Sequence, residues 1–153
     1  MIPISILKAY FDALAPRVQA TKAILVRNET ELAQKIKQIT AGELFLVVVV
    51  PSSDTSAMDN DNILEKEQVI VYAVKKVSHR DQDDTDMLAD MLATQVCITA
   101  VKTMLYADAE NHSAAYHQYI KRIDFNRMHT DPEYNYFECD GYSLSFVLTS
   151  PGF

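Results

Sequence analysis

Residues 141–150 read GYSLSFVLTS, and within them Tyr142, Leu144, Phe146 and Leu148 alternate with Ser143, Ser145, Val147 and Thr149. An apolar residue at every second position puts one face of an extended strand into a core and leaves a mostly hydroxylated face outside. The chain therefore closes by completing a sheet. Aromatic residues gather around that close, with nine of the fourteen lying between Tyr116 and Phe153.

Working back from this strand, Tyr134 to Cys139 and Ile123 to His129 read as two weaker strands. Asp131-Pro132 forms the turn between them, and Gly141 separates the later one from the close. Ala109 to Tyr119 suits a short helix. Before it lies the longest helix, about 83–106, whose acidic start (Asp81, Asp83, Asp84 and Asp86) suits free amides and a positive helix end. Its apolar residues, from Met87 and Leu88 to Met104 and Leu105, cover more than one stripe. That breadth predicts burial along most of its length, across the sheet or also against a partner subunit.

The first half alternates helices and strands. Ile4, Leu7, Tyr10, Phe11 and Leu14 recur at helical spacing between Pro3 and Pro16. Lys22 to Arg27 reads as a short strand. Asn28 with Glu31 three residues later has the form of a capping box opening a second helix through Gln38, and Ala41-Gly42 supplies the stop. Leu44 to Val50 (LFLVVVV) is apolar without alternation, as expected of a strand covered on both faces. Pro51 ends it, Ser52 to Asn62 reads as an exposed loop, and Glu67 to Val77 returns as a strand whose Lys75 and Lys76 blunt an edge or overhang. Short links favour antiparallel hairpins. The order predicts one α+β domain over residues 1–153, with a single, mainly antiparallel sheet of four to six strands and helices packed on one face.

Composition narrows the function. The 153 residues suit one domain, and 48% hydrophobic with 23% charged residues is ordinary for a soluble globular chain. A formal charge of −7 argues against nucleic acid and against an anionic membrane, since both call for a positive surface. No run of about eighteen apolar residues is apparent. Ten of the twenty-one acids fall at Asp54, Asp59, Asp61, Glu65, Glu67, Asp81, Asp83, Asp84, Asp86 and Asp90, so one edge is expected to be strongly acidic. Two cysteines, Cys97 and Cys139, make no disulfide framework, which points to synthesis in a reducing cytoplasm.

Catalytic and cofactor motifs are missing from the sequence. Asp59, Asp61 and Glu65 fail as a calcium loop, because its glycine and glutamate positions hold Leu64 and Ile70. His79, His112, His117 and His129 lack the spacing and partners of a zinc set. No nucleophile elbow or phosphate-binding glycine loop occurs. The reading is therefore of no catalytic residue, no cofactor and no metal. An enzyme would need scattered groups such as His79, Asp83 and His129 to meet in one cleft.

Interface chemistry is better represented. Lys75, Lys76 and Arg80 form a basic cluster that suits the acids Asp81, Asp83 and Asp84 of a neighbouring copy. Lys121 and Arg122 offer further basic groups. Tyr134, Tyr136 and Tyr142 are of the type that fills desolvated interface centres, although core packing would use the same residues.

The layout, together with the strand opening on Gly141 and Tyr142 and alternating through Leu144, Phe146 and Leu148 after Ile123, Asp124 and Phe125, resembles tail-terminator and related neck or tail-completion proteins of tailed bacteriophages. The resemblance implies a ring-forming structural protein, often hexameric, at the end of a tail tube or between head and tail. It implies self-association, other virion proteins as partners, and a place in the virion after cytoplasmic synthesis. One departure is the segment Ser52 to Asn62, shorter than the flexible loop some of these proteins use. The alternative is a monomeric adaptor or small-molecule binding module with a pocket between the long helix and the sheet.

Overall fold

In the computed structural model, which describes residues 1–57, 63–77, 83–114 and 116–151, five strands form one mixed sheet. They are β1 (Ala23–Val26), β2 (Leu44–Ala57), β3 (Ile63–Lys76), β4 (His129–Tyr136) and β5 (Cys139–Pro151), in the order β1-β2-β3-β5-β4. Only β1 and β2 run parallel, and every other pairing is antiparallel. The helices are α1 (Ile4–Arg17), α2 (Glu29–Ile36), α3 (Asp84–Glu110) and α4 (His117–Ile120). The class is α+β, with a mainly antiparallel sheet and one long helix.

The closing strand behaves as its alternation predicts. Leu144, Phe146 and Leu148 are buried beside Val69, Val71 and Ala73 of β3 and Leu46 and Val48 of β2, on the face that carries α1 and α3. Each fully buried side chain of this kind contributes about 1.5–3 kcal/mol relative to exposure. α1 adds Leu7, Tyr10, Phe11 and Leu14, while α3 adds Cys97, Ile98, Val101 and Leu105.

The other face is covered too. Phe45 and Val47 of β2 and Val74 of β3 point the opposite way, into a second core with Val26, Leu32, Ile36 and Ile39. The expectation of helices on one face thus holds for α1 and α3, and α2 departs from it. The reason is topological. Parallel neighbours need a crossover, and α2 is the crossover from β1 to β2. Its cap forms as read, with Asn28 Oδ1 accepting the Glu31 amide at 2.9 Å. Gly42 follows in the left-handed region, at φ 88°.

Several expected loops and turns lie elsewhere. Ser52–Ala57 belongs to β2 and pairs with β3 residues from Ile63 to Gln68, beyond a register shift between Val49 and Ser52 that accommodates Pro51. Main-chain pairing along the ribbon overrides the local preferences of serine and aspartate. The rest of that loop, residues 58–62, lies outside the described residues. Ile123 makes only a single bridge to Leu148, and Phe125–Arg127 is a 3-10 turn, so no separate strand forms there. Asp131 and Pro132 lie inside β4, an edge strand, where a missing amide donor is tolerated. The chain reverses instead at Phe137 and Glu138, both left-handed, at φ 50° and 64°, between the paired Tyr136 and Cys139. Lys75 and Lys76 end a central strand, not an edge.

Of the two covers expected for the long helix, the sheet supplies one. Buried residues run Thr94, Cys97, Ile98, Val101, Leu105, Asp108 and Ala109, which is one stripe facing the sheet. Leu88, Leu92, Val96 and Tyr106 are exposed on the far side. A helix lying on a single layer can be covered on that side only. By length and composition α3 also passes as a membrane span, with mean hydropathy 1.3 over an 18-residue window of which 28% is buried. Its threonines and alanines hide this from a search for an unbroken apolar run.

Gly141 lies inside β5, not before it. A Cβ at this position would stand 2.1 Å from the Ala73 carbonyl oxygen and 2.9 Å from the Val74 Cα. Contact with main chain cannot be relieved by a rotamer change. Gly141→Ala is therefore expected to cost about 2–3 kcal/mol, read as a lower urea midpoint at unchanged slope.

Candidate interaction surface

Two members of the basic cluster expected at an interface, Lys75 and Lys76, are engaged within the chain. Lys75 Nζ lies 2.7 Å from Asp90 Oδ1, linking the end of β3 to the first turns of α3. Lys76 Nζ donates to the carbonyls of Ile36 and Ile39 at 3.0 and 2.9 Å. A cation there meets the unsatisfied carbonyls and the negative end of α2. Both lysines therefore join elements of one chain. Arg80 and Asp81, like His79, lie outside the described residues.

The acids divide similarly. Asp83 is the N-cap of α3 and accepts the Asp86 amide at 2.8 Å, while Asp84 stands exposed in the first turn. Glu65 and Glu67, read as part of an acidic edge, are buried in β3. The Met1 ammonium lies 2.8 Å from Glu65, and the Ile2 amide donates to Glu67 at 2.5 Å. Among the tyrosines, Tyr136 stacks on Tyr72 with ring centroids 4.4 Å apart and planes at 12°, as part of the second core. Burial first, and then the Tyr72 hydroxyl, raise the Tyr136 phenol above its ordinary range. Tyr142 packs against the first core. Tyr134 is 70% exposed.

Asp83 and His129 are engaged separately. Asp83 caps its helix, whereas His129 Nε2 lies 3.0 Å from Asp131 on the edge strand. Among the described residues, no group of three or more His, Cys, Asp or Glu is placed to hold a metal. The space between α3 and the sheet, where the alternative reading places a small-molecule pocket, is filled by Cys97, Ile98, Val101 and Leu105 against β3 and β5.

One polar cluster escaped the sequence reading. Asp108 on α3 accepts from Arg17 at both oxygens, at 2.9 and 3.1 Å, and from the Tyr10 hydroxyl at 2.8 Å. Burial opposes ionisation of Asp108, yet Arg17 and Tyr10 outweigh it and hold the carboxyl below its usual value. Burial and the Asp108 hydrogen bond push the Tyr10 phenol up. All three groups are satisfied by one another, so the cluster clasps α1 to α3. Residues 98 and 91 positions apart in sequence carry no local signal of this contact.

What remains open is the outer side of α3. Leu88, Leu92, Val96 and Tyr106 are 64%, 59%, 56% and 58% exposed. They share a face with Gln95, Thr99 and Thr103, and the one charged residue bordering it between Leu88 and Tyr106 is Lys102, whose ammonium turns to the Thr130 hydroxyl at 3.4 Å. At 1.5 Å per residue this stripe is about 27 Å long. Monomeric soluble proteins seldom leave so large an apolar patch uncovered. Composition alone hinted at it, since the helix is apolar on more sides than one sheet can cover.

No protein-family model matches the chain, and no curated protein matches it.

The clasp gives a pH test. Because the folded-state pKa of Asp108 is depressed, its stabilisation is complete above the unfolded carboxylate value of about 3.9 and lost as pH falls through the folded one. Asp108→Asn should cost about 2 kcal/mol near neutrality, a figure discounted because Arg17 is partly exposed. It should also flatten the acid limb of stability in urea titrations followed by circular dichroism.

Proposed function

We propose that this protein is a non-enzymatic structural subunit that assembles with copies of itself, and that the outer face of α3 is the surface it buries in doing so. The observation that carries this reading is the apolar stripe of Leu88, Leu92, Val96 and Tyr106 on a helix whose opposite side is already seated in the core. Covering it removes apolar surface from water at about 25 cal/mol per Å². A second copy suits this face, because two such helices laid antiparallel bring Leu88 against Tyr106 and Val96 against Thr99, with Lys102 at the margin of the seam. Antiparallel alignment also opposes the helix dipoles favourably.

The driving force differs from the one the sequence suggested. Salt bridges from Lys75, Lys76 and Arg80 to Asp81, Asp83 and Asp84 of a neighbour have less to offer, since Lys75 and Lys76 are engaged within the subunit. Apolar contact takes over as the main term. The resemblance to tail-terminator and neck proteins supplies the setting for such a subunit, a ring at the tail end or head–tail joint of a phage, in contact with other virion proteins.

Light scattering after size exclusion tests the proposal. The wild type should exceed monomer mass, and raising salt should leave association unchanged or stronger. Leu92→Asp, at an exposed position, should keep the far-ultraviolet circular dichroism and weaken association by about 100-fold. A wild type that stays monomeric at high concentration, or an oligomer indifferent to Leu92→Asp, contradicts the reading.

A further inference from the structure

We infer that the open edge of β1 receives an added strand, an extended peptide segment bearing carboxylates, which pairs with the main chain of Ala23 and Leu25. This surface is separate from the outer face of α3 and does not depend on the assembly reading.

The edge has a defined register. β1 pairs with β2 on one side only. The Leu46 amide donates to the Lys22 carbonyl at 2.9 Å, so residue 22 faces β2, and by alternation residues 24 and 26 do too. Ala23 and Leu25 direct their main-chain groups outward. Their carbonyls confirm the direction, for Lys8 Nζ donates to Ala23 O at 3.3 Å and Lys35 Nζ to Leu25 O at 2.5 Å. The amides of the same two residues face the same opening.

That opening is a slot. α1 lies on one face of the sheet and α2 on the other, and both extend to the edge. The cavity there is about 740 Å³, walled by Ile4 and Lys8 on one side and by Lys35 and Ile39 on the other. The plane of the sheet runs on into this space, so a sixth strand placed there would lie between two existing helical layers. Strand addition to a free edge is an established mode of peptide recognition, in which main-chain bonds supply affinity and flanking side chains supply selectivity.

Charge selects the occupant. Lys8, Lys22, Arg27 and Lys35 line the cavity, in a chain whose formal charge is −7. Lys8 pairs with Asp12, Lys22 lies 3.9 Å from Glu43, and Arg27 and Lys35 share Glu31. Four cations thus meet three carboxylates and leave one positive charge in excess. Lysines beside an edge ordinarily discourage pairing with a neutral strand. An ammonium carries three donors, so Lys8 and Lys35, each with one donor on a strand carbonyl and one on Asp12 or Glu31, keep a third for an incoming carboxylate. An incoming segment satisfies the site when its carbonyls reach the Ala23 and Leu25 amides and its acids reach the lysines. Apolar residues between those acids would meet Ile4 and Ile39.

Amide exchange by NMR on the full chain tests this, with a synthetic peptide of alternating glutamate and valine and a counterpart with lysine for glutamate. The acidic peptide should slow exchange at Ala23 and Leu25 by at least about tenfold, and binding should weaken as salt rises. Arg27→Glu and, separately, Lys22→Glu, both at exposed side chains, should each reduce affinity by about tenfold without changing the thermal melt. Absence of binding at millimolar peptide, binding that leaves both amides exchanging at the free rate, or equal binding of the lysine peptide would each overturn the inference. Concentration-dependent protection of the two amides without peptide would assign the edge to a second copy, which also overturns it.

Discussion

The antiparallel pairing of β3 with β5 is the constraint on which the rest of the structure depends. It joins thirteen residues of each strand, from Leu64 opposite Pro151 to Lys76 opposite Cys139. β3 also pairs with β2 on its other side, so its main chain is consumed in both directions. Side chains are then forced up and down by the pleat. Val69, Val71 and Ala73 go to the face of α1 and α3, while Tyr72 and Val74 go to the face of α2. The two strands approach so closely at Gly141 that a side chain there has no room. Once this spine is set, α3 has one place to lie and one side to bury.

Much of this was legible in the sequence because the signals were local. The alternation of Tyr142, Leu144, Phe146 and Leu148 marks β5, the apolar run Leu44 to Val50 marks the covered part of β2, and Asn28 with Glu31 marks the start of α2. What escaped was set by distant contacts. Ser52–Ala57 is extended because β3 lies beside it, and Phe137 and Glu138 turn although neither is the asparagine or glycine that such a turn favours. The placement of α2 on the second face follows from the direction of β1, which a four-residue strand cannot announce.

The same division holds for the surface. Charged residues stand out in a sequence, and Lys75, Lys76 and the acids from Asp81 onward drew the reading of an interface for that reason. Lys75 and Lys76 are instead engaged in joining β3 to α3 and to α2. Asp108 with Arg17 and Tyr10 does similar work between α1 and α3. Ion pairs thus bind elements of the chain to each other, while an apolar stripe is left facing out. For the proposed assembly the main force is burial of hydrophobic surface, with Coulomb attraction between copies secondary.

That account is tested most directly by the chemical accessibility of the outer face of α3 in the assembled protein. The native thiols are buried, and their burial raises Cys97 to about 11 and Cys139 to about 12, so neither competes for a maleimide at neutral pH. A thiol introduced as Val96→Cys reports on the outer face alone. Its labelling rate, followed from micromolar to submillimolar protein, should fall steeply as the face becomes covered. A rate that stays at the value of a free exposed thiol over that whole range would contradict the claim that α3 is the assembly surface.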